Sequence, residues 1–174
     1  MGGLHHGHSR LIARAVDGCA ESGSVLVSVY VNPLQFGEGE DFETYPRSFE
    51  ADCALAQQAG AAAVWCPDDR QIYPSGETEC WRLLGPPALQ PGMCGPRRPG
   101  HFDGVCTVVC RLLSQVRPRQ LWLGEKDWQQ LTILRRMVVE LGLPVRVRGC
   151  ATVREPDGLA ASSRNLYLNP MERQ

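Results

Sequence analysis

Apolar positions along this chain follow two alternating rhythms, one helical and one extended. Between His8 and Glu21 the residues Leu11, Ile12, Ala15, Val16 and Cys19 recur at helical spacing, and Gly23 is placed to terminate the helix. Val25 to Val31 is a continuous run rich in β-branched residues, the pattern of a strand covered on both faces, and Asn32-Pro33 breaks it into a loop. Ser48 is placed to cap a helix through Ala59, Gly60 to end it, and Ala62 to Cys66 to form another short buried strand. Ile72 to Gly100 is rich in Gly and Pro and reads as long irregular structure, with a strand near Thr78 to Leu83. A helix from Phe102 to Val116 is stopped by Pro118, and a strand from Gln120 to Leu123 ends at Gly124. Asp127 then caps a helix through Leu141, and Pro144 to Cys150 supplies the next strand. The alternation predicts an α/β domain with a mostly parallel, doubly wound sheet, whose ligands bind beyond the carboxyl ends of the strands.

At 174 residues the chain is about one domain long. Hydrophobic residues at 43% and charged residues at 21% match soluble globular proteins and exclude disordered and fibrous classes. The apolar runs are far shorter than the ~20 residues that span a bilayer. The N-terminal Met-Gly-Gly-Leu-His-His-Gly-His lacks the basic and apolar regions of a secretory signal, so a cytoplasmic location is expected. Eighteen basic and nineteen acidic side chains nearly cancel, which argues against nucleic acid or a membrane as partner and leaves only local anion binding. The eight cysteines form no CxxC pair, and several sit in apolar runs, so reduced thiols are expected rather than disulfides or a metal site.

Three polar motifs interrupt this scaffold. His5-His6-Gly7-His8 is an HxGH pattern at a helix start, where imidazole N–H groups and free backbone donors can hold a polyphosphate and Gly7 allows its close approach. A tag remnant or a stray metal-binding tract explains the same histidines. Gly124-Glu125-Lys126-Asp127 occupies a strand-to-helix turn in which Lys126 can reach a phosphate, or can simply be solvated. Ser162-Ser163-Arg164-Asn165 follows the last strand; Arg binds phosphate oxygens bidentately and serines add donors, although such loops are also common on plain surfaces.

Taken in order, HxGH, a Lys at a later strand end and a Ser-Ser-Arg loop in place of KMSKS resemble the HxGH nucleotidyltransferase superfamily. Within it, the words around them resemble the pantothenate synthetase family. These are Met1 to His8, Val31-Asn-Pro-Leu-Gln-Phe36, Tyr45-Pro-Arg47, Arg98-Pro-Gly-His-Phe-Asp-Gly-Val105, Gly124 to Gln130, and Val153 to Leu159 running into Ser162 to Asn165. They span the chain from end to end.

The resemblance implies an ATP-dependent, AMP-forming ligase that activates pantoate as pantoyl adenylate and passes it to β-alanine. It implies that His5, His8 and Lys126 are catalytic groups contacting ATP phosphates. Met1, Gly124, Asp127, Val153, Ser162, Ser163 and Arg164 are implied to complete the nucleotide site, with Mg2+ on the phosphates and no protein metal site. Gln35 and Gln130 are implied pantoate ligands, and Asn32, Tyr45 and Arg98 are candidates for the same pocket. The full-length enzyme is expected to be a homodimer. His6 stands where relatives are usually acidic, Ala161 where Met is common, and Trp128 where Tyr is commoner. By the same resemblance, residues 1–174 are a nucleotide-binding domain expected to lack the family's first strand, central in the sheet, and its C-terminal lid. Losing that strand would expose two strand edges. The rivals are another nucleotidyltransferase of the superfamily, against which Gln35 and Gln130 speak, and an inactive fragment or paralogue serving at most in dimerisation.

Overall fold

A computed structural model describes residues 2–19 and 23–173. Helix α1, His6–Asp17, starts two residues earlier than the apolar spacing indicates and buries Ile12 and Ala15. Ala20 and Glu21, where the pattern extended it, lie outside the described residues. Gly18 caps the helix, and a Cβ there would lie 2.5 Å from the Trp122 ring, so the helix end is pressed onto a strand of the second half of the chain.

Strand β1 (Leu26–Ser28) pairs in parallel with β2 (Ala63–Trp65), and β3 (Gln120–Gly124) pairs in parallel with β4 (Arg146–Cys150). Helices α2 (Phe49–Gln58) and α4 (His101–Val116) precede β2 and β3, and α5 (Trp128–Glu140) precedes β4. A single turn, α3, spans Asp69–Ile72. The expected parallel βα alternation is present, but among the described residues the sheet falls into two separate pairs. The expectation that Val25 to Val31 is a strand covered on both faces fails for this reason. Only Leu26–Ser28 is paired, on one edge, and Leu26 and Ser28 are exposed.

The main core lies between α4, α5, β3 and β4, where Phe102, Val105, Ile133 and Leu134 are at most 2% exposed. Burying each such side chain stabilises by ~1.5–3 kcal/mol. A second cluster of Tyr30, Ile72 and Tyr73 against Val108 ties the chain after β1 to the other side of α4. Gly104 of α4 is required by close approach, since a Cβ there would sit 2.1 Å from the Leu34 carbonyl oxygen.

The strand expected near Thr78 to Leu83 does not form. Side chains of α4 take its place as partners: Thr107 Oγ1 accepts from Leu83 N at 2.9 Å, and Asp103 Oδ1 accepts from Gly85 N at 2.7 Å. Ser48 and Asp127 stand at the N-cap positions of α2 and α5, yet neither side chain makes a capping hydrogen bond. Asp127 is instead turned to Lys126, 3.3 Å away. All eight cysteines are free thiols.

One contact of α2 reaches across the fold. Asp52, 2% exposed, accepts from Gly3 N at 3.0 Å and Leu4 N at 2.6 Å and so fixes the turn that leads into α1. Replacing Asp52 by Ala would leave two amide hydrogens unsatisfied in a buried setting. The expected cost is about 1–3 kcal/mol in a denaturant melt, and an unchanged midpoint would contradict this role.

Candidate active site

The first turn of α1 is capped by histidines rather than by Ser, Thr or Asp. His5 Nδ1 accepts from Gly7 N at 3.1 Å, and His8 Nδ1 accepts from His5 N at 3.2 Å, a reciprocal capping box made of two imidazoles 4.1 Å apart. An accepting Nδ1 places each ring's single hydrogen on Nε2. Burial holds both rings neutral: His5 is pushed below the ordinary imidazole range and His8 down to about 3. Each ring adds to the shift, His6 acting further on His5 and His5 on His8, and the Lys126 ammonium lowers both. Lys126 is thus close enough to be felt by both histidines across the turn after β3. Gly124, just before it, has φ −74° and open space where a Cβ would stand, so neither backbone conformation nor protein packing demands a glycine there.

The serine loop closes on the same turn. Val153 O accepts from Ala161 N at 2.9 Å, and Ala161 packs against Gly7, where an added Cβ would meet it at 3.2 Å. Ser162 caps a short turn, Ser163–Tyr167, by accepting from Arg164 N. Ser163 is buried, lies against Gly3 and meets Tyr45 Oη at 3.1 Å. Arg164 stacks on the Tyr45 ring and is held by both Asp41 oxygens, Nε at 2.9 Å and Nη2 at 2.6 Å.

The loop after β1 carries the third group. Gln35 is 8% exposed and its Oε1 accepts from Asn32 Nδ2 at 3.2 Å. Asn32 also donates to Gly104 O and accepts from Tyr73 Oη and Leu34 N. With these partners Asn32 is buried and fixed beside Gln35, at the place the sequence expects for it in the pocket wall. Arg98 binds Glu40 through Nε at 2.8 Å and donates from Nη2 to Gln35 O at 3.3 Å. Phe36 packs edge-on to Tyr45, 5.8 Å between centroids, which joins this group to the serine loop. A hollow of about 270 Å³ opens between Glu40, Asp41, Arg98 and Arg164. A larger one of about 550 Å³ lies at the opposite ends of the strands, around Gln120 and Arg146, away from all three motifs.

All 174 residues match the family model described as pantoate-beta-alanine ligase. The chain belongs to that family. It is 69% identical to a bifunctional pantoate ligase/cytidylate kinase of Synechococcus sp. (strain WH7803), over 99% of this chain and 35% of the relative. It is also similar to pantothenate synthetase from Thermus thermophilus, with TM-score 0.92 and 50% identity over 99% of this chain and 61% of that one. A third similarity is to pantoate-beta-alanine ligase from Francisella tularensis complexed with beta-gamma ATP and beta-alanine. There the TM-score is 0.90 and the identity 36%, over 98% of this chain and 63% of that one. The chain therefore spans about a third of the length of the curated relatives.

For a pantoate-beta-alanine ligase family member, the structure gathers most of the residues that sequence singled out. His5, His8 and Lys126 share one electrostatic neighbourhood, and Tyr45, Ser163 and Arg164 share one contact chain. Gln35 and Arg98 share another. Gln130 is half-buried on α5, and among the described residues no hydrogen bond joins it to Gln35. Met1 lies outside the described residues. Three residues escaped the sequence reading: Asp52, His101 and Gln129. The Gln129 amide donates to Leu89 O and Gln90 O at 3.0 Å and accepts from Cys94 N at 3.2 Å, clamping the loop before Arg98. Helical register carried the signal, since Gln129 precedes Ile133 and Met137, His101 precedes Val105 and Asp52 precedes Ala56, each on a buried face.

The tautomers are directly measurable. Nitrogen-15 NMR is expected to show protonated Nε2 and bare Nδ1 on His5 and His8 at pH 7. Because their folded pKa values are depressed, their contribution to stability is full above the ordinary imidazole pKa of about 6.5 and is lost as pH falls toward about 3 for His8. Protonated Nδ1 on either ring would contradict the capping geometry.

Proposed function

We propose that this chain carries the nucleotide-binding part of a pantoate–β-alanine ligase, which condenses pantoate with β-alanine at the expense of ATP. The observation that carries this reading is the histidine capping box, which leaves a neutral Nε2–H on each of two imidazoles at a helix N-terminus, within electrostatic reach of Lys126. Such donors stabilise charge on phosphate oxygens without taking up a proton. The pantoate carboxylate attacks the α-phosphorus of ATP, pyrophosphate leaves, and the amine of β-alanine then attacks the acyl carbon of pantoyl adenylate and expels AMP. Lys126 acts as a point charge on the phosphates, and Ser162 with Arg164 closes on the outer ones after Arg164 exchanges Asp41 for phosphate. Gln35 and Gln130 receive pantoate, with Arg98 and Tyr45 shaping the pocket wall.

Among the described residues no three His, Cys, Asp or Glu side chains converge as a metal cage. Mg2+ would ride on the ATP phosphates and neutralise their charge, with Asp127, beside Lys126, as a carboxylate that could reach its shell. No described helix is long and apolar enough to cross a membrane. The exposed Trp81 and Leu84 offer an apolar surface for the homodimer expected of the complete enzyme.

A chimera tests the reading. Residues 1–174 would replace the matching 61% of the Thermus thermophilus protein, and AMP release would be followed with ATP, pantoate and β-alanine. The chimera is expected to turn over, and Lys126→Ala to lower turnover more than tenfold while the melting temperature holds. Gly124→Ala is expected to weaken ATP binding without loss of stability, because the added methyl enters space that only a ligand would fill. A folded chimera that releases no AMP would favour the inactive-module rival.

A further inference from the structure

His101 is the first residue of α4, 7% exposed, and it touches both arms of the candidate pantoate pocket. Its Nδ1 lies 2.7 Å from the Gln35 carbonyl oxygen and its Nε2 3.0 Å from Arg98 Nη1. A carbonyl only accepts and a guanidinium only donates, so one arrangement satisfies both contacts: Nδ1 carries the hydrogen and Nε2 is a bare acceptor. This is the opposite tautomer to that of His5 and His8. The Phe102 ring packs edge-on against the imidazole, 4.9 Å between centroids. Arg98 is simultaneously bound to Glu40, so a line of contacts runs from the Glu40 carboxylate through Arg98 and His101 to the backbone of Gln35.

We propose that His101, as the neutral Nδ1–H tautomer, is a positioning residue that holds Gln35 and Arg98 in register for pantoate and releases them when its Nε2 takes a proton. This rests on the ligase reading above. A proton on Nε2 turns the acceptor into a donor facing a guanidinium, and the contact between His101 and Arg98 becomes repulsive. The charged groups around the ring are Arg98 and Glu40 from the loops and Asp127 from the start of α5. Burial lowers the affinity of the ring for a proton and Arg98 lowers it further, while the Gln35 carbonyl, Glu40 and Asp127 act in the other direction. The depressed value keeps the neutral form through the neutral pH range, and the arrangement is lost as pH falls through it.

The test uses the Thermus chimera, pantoate as the probe, calorimetry for affinity, and nitrogen-15 NMR for the His101 ring. The wild-type ring is expected to show protonated Nδ1 and bare Nε2, and pantoate affinity to fall with decreasing pH along the same curve on which His101 titrates. His101→Ala is expected to bind pantoate about tenfold more weakly at pH 8. His101→Asn keeps a donor where Nδ1 stood, and is expected to restore affinity to within about twofold at pH 8 and to flatten the pH dependence. His101→Gln, which keeps only an acceptor toward Arg98, is expected to bind like the Ala variant. A protonated Nε2 in the resting protein, or an Asn variant that retains the wild-type pH profile, would overturn the proposal alone. A wild-type chimera that binds no pantoate at any pH would take down the ligase reading as well.

Discussion

The Asp52 carboxylate, accepting the amide hydrogens of Gly3 and Leu4, is the contact on which the rest of the site is stacked. A buried side chain of α2 thereby holds the turn that leads into α1. On the turn so fixed, the two histidine rings satisfy the first donors of α1 through Nδ1 and keep their hydrogens on Nε2. Ala161 and Ser163 then pack against Gly7 and Gly3, where larger residues would hold the serine loop away. A shift at Asp52 would therefore propagate to both the histidine turn and the serine loop.

Charge at the site is balanced within the protein before any ligand arrives. Arg164 is bound by Asp41 and Arg98 by Glu40, and the arginines hold both carboxylates below their ordinary range through charged hydrogen bonds. These two acids sit side by side in the loop that also carries Gln35 and Tyr45. A triphosphate with several negative charges can compete with Asp41 for the half-exposed Arg164, whereas Arg98 is tied to Gln35 and His101 as well as to Glu40. Among the described residues Arg164 thus has one carboxylate partner, Asp41, and Arg98 has three separate partners.

Sequence alone revealed the helices, the parallel alternation and the order of the motifs, because those follow from spacing along the chain. It missed what depends on partners remote in sequence. Thr78 to Leu83 has the composition of a strand, but Thr107 and Asp103 supply hydrogen bonds that no local pattern announces. Asn32 reads as a polar loop residue, and the bond it accepts from Tyr73, forty-one residues away, has no local signature. Asp127 reads as a cap, and Lys126 beside it draws the carboxylate away. Asp52 was visible only as a polar group on an otherwise apolar helix face, and His101 and Gln129 lay inside motif words without a role of their own until their partners were placed. The local geometry most legible in sequence is that of His5 and His8, whose partners lie within the same turn.

The central claim is that the histidine cap and Lys126 serve a phosphate-displacing step that precedes, and does not need, the amine. Exchange of labelled pyrophosphate into ATP by the Thermus chimera measures that step directly. The account predicts exchange that requires pantoate and proceeds at full rate without β-alanine. Exchange that appears only when β-alanine is added, or that proceeds without pantoate, would contradict it.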